Sequence, residues 1–360
     1  MVTIGILIDY LLCHSCARLP REPLTACRRG GYRSRIPSRL PIRSFARVRH
    51  ALEKGNQGRT DAEAASPLYN SIKAATQSEM MTYPIRFGIQ TPQQHAAWPE
   101  LLALWQEIDT LGYDTAWGFD HFLPIFSDPT GPCLEGWTAL AALAMATRRV
   151  RLGLMVTGNT YRHPAVLAKM AATVDIISGG RLIFGLGAGW FELEHQEYGV
   201  PFHTTGGRLH RLDEALQVIK LLWTQERANF IGKHFKLDNA SFNPKPLQKP
   251  HPPILIGASG EKVALRIVAQ HAQMWNSFGT PEVFRNKIAR LEEHCRRVGR
   301  DPAAIEKSVL VSGTFALDDA RRQVDAYAAA GVTHIVFSIG PADRAWVHSF
   351  AERIIPSYRA

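Results

Sequence analysis

An aspartate followed directly by a histidine, Asp120-His121, closes the apolar run that begins at Tyr113. An imidazole beside a carboxylate can give or take a proton near neutral pH, so the pair is a candidate for general acid-base work. The same residues could instead cap a loop and bond backbone; their types alone leave both readings open. Two glycine-rich stretches offer different chemistry. Gly185-Leu-Gly187-Ala188-Gly189-Trp190 and Gly257-Ala258-Ser259-Gly260-Glu-Lys262 each end an apolar run, and small residues let backbone N–H groups approach an anion. The second leads into a helix expected from Glu261. Trp190 stands where a dinucleotide fingerprint needs its third glycine, and the second stretch lacks the spacing of a Walker loop. Together the two could hold one phosphate; singly, each could be a tight turn. His163, His195, His203 and His210 show neither H-x-x-x-H nor H-E-x-x-H spacing, so no metal site is expected.

These residues must be held by something, and the pattern around them repeats. From Ile85 the chain alternates short apolar runs with amphipathic helical segments. The runs are Ile85 to Gln90, Tyr113 to Phe119, Val150 to Val156, Leu182 to Leu186, Pro253 to Ile256, Met274 to Phe278, Val309 to Phe315 and His334 to Ser338. Trp98, Leu101, Leu102, Trp105, Ile108 and Leu111 form one helical stripe, and Pro164 and Gly179-Gly180 bracket another helix with suitable terminal chemistry. A long insertion carries a helix with Leu209, Leu212, Leu216, Ile219 and Trp223 in register, then a hairpin between Phe230 and Phe242. Eight βα units fit a closed (β/α)8 TIM barrel with insertions better than an open doubly wound sheet. Chemistry then belongs where strands run out, at Gln90-Thr91, Asp120-His121, Met155 to Asn159, Gly187 to Trp190, Gly257 to Gly260 and Asn276.

Composition supports a globular chain: of 360 residues, 46% are hydrophobic and 21% charged. No apolar stretch is long enough to span a membrane. The net charge of +10 suggests nucleic acid until it is divided along the chain. Residues 1 to 80 carry 13 Lys+Arg against 6 Asp+Glu, while residues 81 to 360 carry 29 against 26. The surplus sits in an Arg-, Ser- and Pro-rich leader without sustained periodicity, so neither nucleic acid nor membrane is an expected partner of the folded part. The leader is read as a segment that buries little, as a transit peptide, or as residues upstream of a true start at Met80 or Met81. The folded domain is expected over 81–360. The pair Cys13 and Cys16 has no second pair to complete a zinc site, and five irregular cysteines suit a reducing cytoplasm.

The segments Trp117-Gly-Phe-Asp-His-Phe122, Arg151-Leu-Gly-Leu-Met-Val-Thr-Gly-Asn-Thr-Tyr-Arg-His-Pro164, Ala172-Thr-Val-Asp-Ile-Ile-Ser-Gly-Gly-Arg181, Gly185 to Trp190 with Glu194 and Tyr198-Gly199, and Ile256 to Lys262 resemble the bacterial luciferase-like superfamily, within it the class that uses the deazaflavin coenzyme F420. The resemblance covers about residues 83 to 355. It implies a flavin or deazaflavin ring across the barrel mouth and a non-proline cis peptide at Met155-Val156 beneath it. It also implies cofactor contacts from Thr157 and Asn159, a phosphate held by Gly187, Ala188, Gly189 and Gly257, Ala258, Ser259, Gly260, a ring contact from Asp120, and His121 as the active-site imidazole. The sugar-phosphate branch needs a carboxylate where Trp190 stands, so glucose-6-phosphate oxidation is not expected. Trp98, Trp117, Phe122, Trp190 and Phe191 are available for an apolar pocket instead.

The leading expectation is an F420-dependent oxidoreductase acting on an apolar or aromatic small molecule, with His121 managing the proton. The alternatives are an FMN-dependent monooxygenase using oxygen and a non-catalytic flavin-binding barrel. A homodimer is the expected assembly.

Overall fold

Runs such as Ile254–Gly257 and His334–Ser338 are apolar on both faces, which suits strands buried between an inner core and an outer layer of helices. The computed structural model describes residues 85–359, and there these runs form one closed parallel barrel. In chain order the elements are β1 (Arg86–Gln90), α1 (Trp98–Thr110), β2 (Thr115–Asp120), α2 (Gly136–Ala146), β3 (Arg151–Gly158), α3 (Pro164–Ile177), β4 (Phe184–Gly187), α4 (Glu192–Glu197) and α5 (Thr205–Thr224). They continue with β5 (Arg227–Ile231), β6 (Lys236–Ser241), β7 (Ile254–Gly257), α6 (Ala264–His271), β8 (Met274–Ser277), α7 (Pro281–Arg297), β9 (Glu306–Ser312), α8 (Leu317–Ala329), β10 (His334–Ser338) and α9 (Arg344–Arg353). Around the barrel the order is β1-β10-β9-β8-β7-β4-β3-β2, with β5 and β6 as a separate antiparallel hairpin. Readings of residues 1 to 80, including the leader and its cysteines, lie outside the described residues. No described helix is long and apolar enough to cross a membrane.

Helix ends follow local chemistry. Glu135 accepts the N–H groups of Trp137 and Thr138 to start α2, His163 caps α3 ahead of Pro164, and Gly179 and Gly180 end α3 at φ 68° and 83°. Trp117, Met155, Ile183, Leu255, Met274 and Val336 fill the barrel interior, while a larger core packs the strands against the helices. At the amino ends of the strands, Thr115 and His334 join by a 2.9 Å hydrogen bond, and Glu306 pairs with Arg86 at 2.7 Å. His334 Nδ1 lies 2.8 Å from Glu306 Oε1, off the alignment of a hydrogen bond.

Most boundaries differ from the sequence expectation by one to three residues, the hairpin starting at Arg227 rather than Phe230, and two of the differences have a clear local cause. β9 spans Glu306–Ser312 rather than Val309 to Phe315, because Gly313 takes φ 88° and ends it. The helix expected from Glu261 begins at Ala264: residues 261–263 form a turn, and Leu265 N–H reaches back to Gly260 O at 3.1 Å.

Candidate active site

β2 runs out at Asp120 and delivers His121, which is buried, to the carboxyl end of the barrel. Its Nδ1 lies 2.8 Å from Glu194 Oε1, and the other oxygen of Glu194 accepts the Phe122 N–H at 2.9 Å. Tyr161 also donates to Glu194 Oε1. Glu194 is fully buried on α4. Burial pushes its carboxyl up, but the bond and charge of His121, with Tyr161 and Phe122, outweigh that and hold it below the ordinary value. An ionised Glu194 places the proton of a neutral imidazole on Nδ1, leaving Nε2 as an acceptor. Beside this pair, His195 donates from Nδ1 to Phe191 O at 2.7 Å, so its Nε2 accepts from Thr160 Oγ1, also at 2.7 Å.

Asp120 is placed differently from the role implied by the resemblance. It is wholly enclosed, and both its oxygens are taken by Arg162, at 2.6 and 3.0 Å. Arg162 also reaches Glu135 at 2.5 Å. Burial pushes the Asp120 carboxyl up, against the pull of Arg162. Any influence of Asp120 on a ligand therefore passes through the guanidinium, whose side chain is 13% exposed.

The third strand end is built around Val156. The Met155–Val156 bond is cis, as the resemblance implies, and Gln90 Nε2 donates to Met155 O at 2.9 Å. Gly187 and Gly257 are register partners on β4 and β7, and both face the Val156 side chain. A Cβ at Gly187 would lie 2.7 Å from Val156 Cγ2, and one at Gly257 2.8 Å from the same atom. These two glycines are thus required by strand packing. Gly189, at φ 81° and tight against Thr160, and the exposed Gly260 belong to the loops proper. The backbone N–H groups of Gly189, Trp190, Ser259 and Gly260 have no protein acceptor among the described residues.

Asn159 is 3% exposed and its Nδ2 has no partner, leaving a donor beside the Gly187 loop, to which its own N–H is bonded at 2.9 Å. A buried unpaired amide is costly, so this donor fits a ligand oxygen, and the glycine loops fit a phosphate. Thr157, in contrast, is closed to solvent, and its hydroxyl accepts the Trp137 indole N–H at 3.0 Å. Ser259 meets Ser277 at 3.1 Å, and Lys287 reaches Ser277 at 3.3 Å.

Of the aromatics expected in a pocket, Trp117 fills the barrel interior and Trp98 packs on the outer core. Trp190 and Phe191 stand edge-on to His121 at 5.6 and 5.8 Å, and Phe126 stacks on Trp190 at 5.6 Å. Trp190 is 52% and Phe126 92% exposed, so the wall beside the imidazole is aromatic and open. A separate recess of about 510 Å³, between the ends of β1 and β10, is of mixed character, with Gln94, His95, Glu100 and Arg344 facing Pro92, Pro341 and Ala342. Gln94 joins it to the loop after β2, exchanging hydrogen bonds with Ile125.

Sequence reasoning brought out His121 and the loops but gave no role to Glu194, Tyr161 or Arg162. Their contacts bridge 73, 33 and 42 positions, and only the barrel order brings them together. Solved structures include an F420-dependent secondary alcohol dehydrogenase with TM-score 0.69 at 20% identity, covering 77% of this chain and 99% of that one. An F420-dependent glucose-6-phosphate dehydrogenase of Microbacterium testaceum is 32% identical over 224 residues, 61% of this chain and 65% of the relative, just under two thirds of its length. A pyrimidine monooxygenase of Stutzerimonas stutzeri is 35% identical over 173 residues, covering 46% and 47% of the two chains. The family model for luciferase-like monooxygenases matches residues 80–359, and the chain belongs to that family.

Proposed function

We propose that this protein is an F420-dependent oxidoreductase acting on an apolar or aromatic organic substrate. The observation that carries the reading is the 2.8 Å contact between His121 and Glu194, which fixes the imidazole and turns Nε2 toward proton exchange. When bound, the deazaflavin supplies the ring carbon that gives or takes the hydride. The chain does the rest. The free amides of Gly189, Ser259 and Gly260 would hold the phosphate, Asn159 Nδ2 would donate to the coenzyme, and the Met155–Val156 segment would support its ring. His121 Nε2 would take the proton that a substrate releases on oxidation, or return one on reduction. The exposed Trp190, with Phe126 stacked on it, would offer an apolar or aromatic substrate a surface beside the imidazole. Relatives named for F420 support the cofactor, and Trp190 in place of a carboxylate argues against a sugar phosphate.

The test is titration of the protein with F420 and with FMN separately. F420 is expected to bind and FMN to bind much more weakly. Tight stoichiometric FMN without F420 binding overturns the reading in favour of a monooxygenase. F420 binding with no turnover over a panel of alcohols and aromatic acceptors leaves a non-catalytic barrel.

A further inference from the structure

Lys287 on α7 is 9% exposed, and an ammonium group so placed is costly unless an anion or several acceptors satisfy it. It enters no ion pair among the described residues. Its hydrogen bond goes to Ser277 Oγ at 3.3 Å, and the centre of the Phe278 ring lies 5.8 Å from Nζ. Glu261 is the carboxylate whose charge favours it, but that side chain is 51% exposed and stands 3.9 Å from Arg290. Burial outweighs Glu261 and holds the ammonium below the ordinary lysine value.

What Lys287 does touch leads to the second glycine loop. An ammonium can only donate, so Ser277 Oγ accepts from it and turns its own hydrogen elsewhere. Ser259 Oγ, 3.1 Å away, is in reach to accept that hydrogen, which leaves the hydrogen of the Ser259 hydroxyl to be given onward. The donors thus run one way, from a buried charge on α7 through Ser277 at the end of β8 to a loop residue, and each link polarises the next. Ser277 is closed to solvent, whereas Ser259 is partly exposed. On the same loop the backbone N–H groups of Ser259 and Gly260 have no protein acceptor among the described residues. The Trp275 indole N–H holds the loop from behind through Ala258 O at 2.9 Å.

We propose that Lys287 is a positioning residue for the coenzyme, supplying through Ser277 and the Ser259 hydroxyl the positive charge that binds its phosphate at the second glycine loop. The inference rests on the F420 reading above. A phosphate ester meets all these donors at once: two amides, a hydroxyl, and a cation two hydrogen bonds behind them. Lysine suits the place because it acts as a point charge and needs no planar partner.

The test is fluorescence titration of the full chain with F420 and with the same deazaflavin cut off before its phosphate. Lys287→Met keeps a buried stem and removes the charge. It should weaken F420 binding about ten- to hundredfold, the worth of a charge-assisted hydrogen bond, and leave the affinity for the truncated form unchanged. Ser277→Ala removes the link and should weaken F420 binding by a similar factor, with the double variant losing no more than either alone. The ratio of wild type to variant should persist as salt rises, because a buried charge is screened little. A lysine that only braced α7 would lower both affinities together, and that result overturns the inference, as does F420 binding that survives either substitution. If Lys287→Met does not fold, Ser277→Ala decides alone. Equal wild-type affinity for the two forms also overturns the inference and leaves the deazaflavin reading intact; binding of neither form overturns both.

Discussion

Nδ1 of His121 stands 2.8 Å from Oε1 of Glu194, although 73 positions separate them in the chain. Because Glu194 is fully buried and also satisfies Phe122 and Tyr161, it fixes the imidazole in place and in tautomer. Glu194→Gln keeps the shape but removes the charge. It should lower kcat about ten- to hundredfold with KM little changed, and shift the pH profile of turnover. A carboxylate that only braced the fold would lower the melting temperature and leave the profile where it was.

His121→Ala should cost more. Loss of a positioned acid or base lowers turnover by about a hundredfold to ten-thousandfold, with F420 affinity nearly unchanged. Kinetics and cofactor titration on the same preparation separate this from a structural histidine, whose removal would weaken stability and binding together. Full turnover across roughly pH 6 to 8, where an imidazole ordinarily titrates, would rule out the proton role.

Gly187→Ala should destabilise the protein by about 1–3 kcal/mol, the usual range for overpacking, because the added carbon falls 2.7 Å from Val156 Cγ2 and a β-branched neighbour cannot turn away. Adding Val156→Ala should recover part of the loss. Chemical denaturation of the two single variants and the double variant measures the coupling; strictly additive losses would mean that the contact is not what excludes a side chain.

The strands were legible because their apolar runs are buried on both faces, and the glycine loops because each ends such a run. Where legibility failed, distance along the chain was the cause. Nothing near Glu194 or Arg162 marks them as partners of His121 and Asp120, which lie on another strand. The role of Gly257 could not be read either, since Val156, the residue that forbids it a side chain, belongs to β3. Asp120 was found by type and position, but its enclosure by Arg162 depends on the loop after β3 folding back over β2.

Glu306 carries a pH-dependent prediction. Burial raises its carboxyl, yet His334 and Arg86 outweigh that and bring it down to about 2 from 4.5. A carboxyl lowered in the fold stabilises it above the unfolded value and gives that up as pH falls toward the folded one. Glu306→Gln should therefore cost up to about 3 kcal/mol at pH 7, and the gap to wild type should narrow below pH 4.5. Denaturation midpoints from pH 7 down to 3 follow it; a gap that does not change with pH would contradict the assignment.

The seam of the barrel lies between its first and last strands, with Arg86 to Gln90 registered against His334 to Ser338. During synthesis β1 emerges long before its partner, so it must wait on the ribosome with one edge unpaired until almost the whole described chain has been translated. Domains rich in such distant pairings fold slowly and expose strand edges while they do. The yield of soluble protein in a cell should thus depend strongly on how fast the last βα unit is delivered and how well nascent chains are shielded until then.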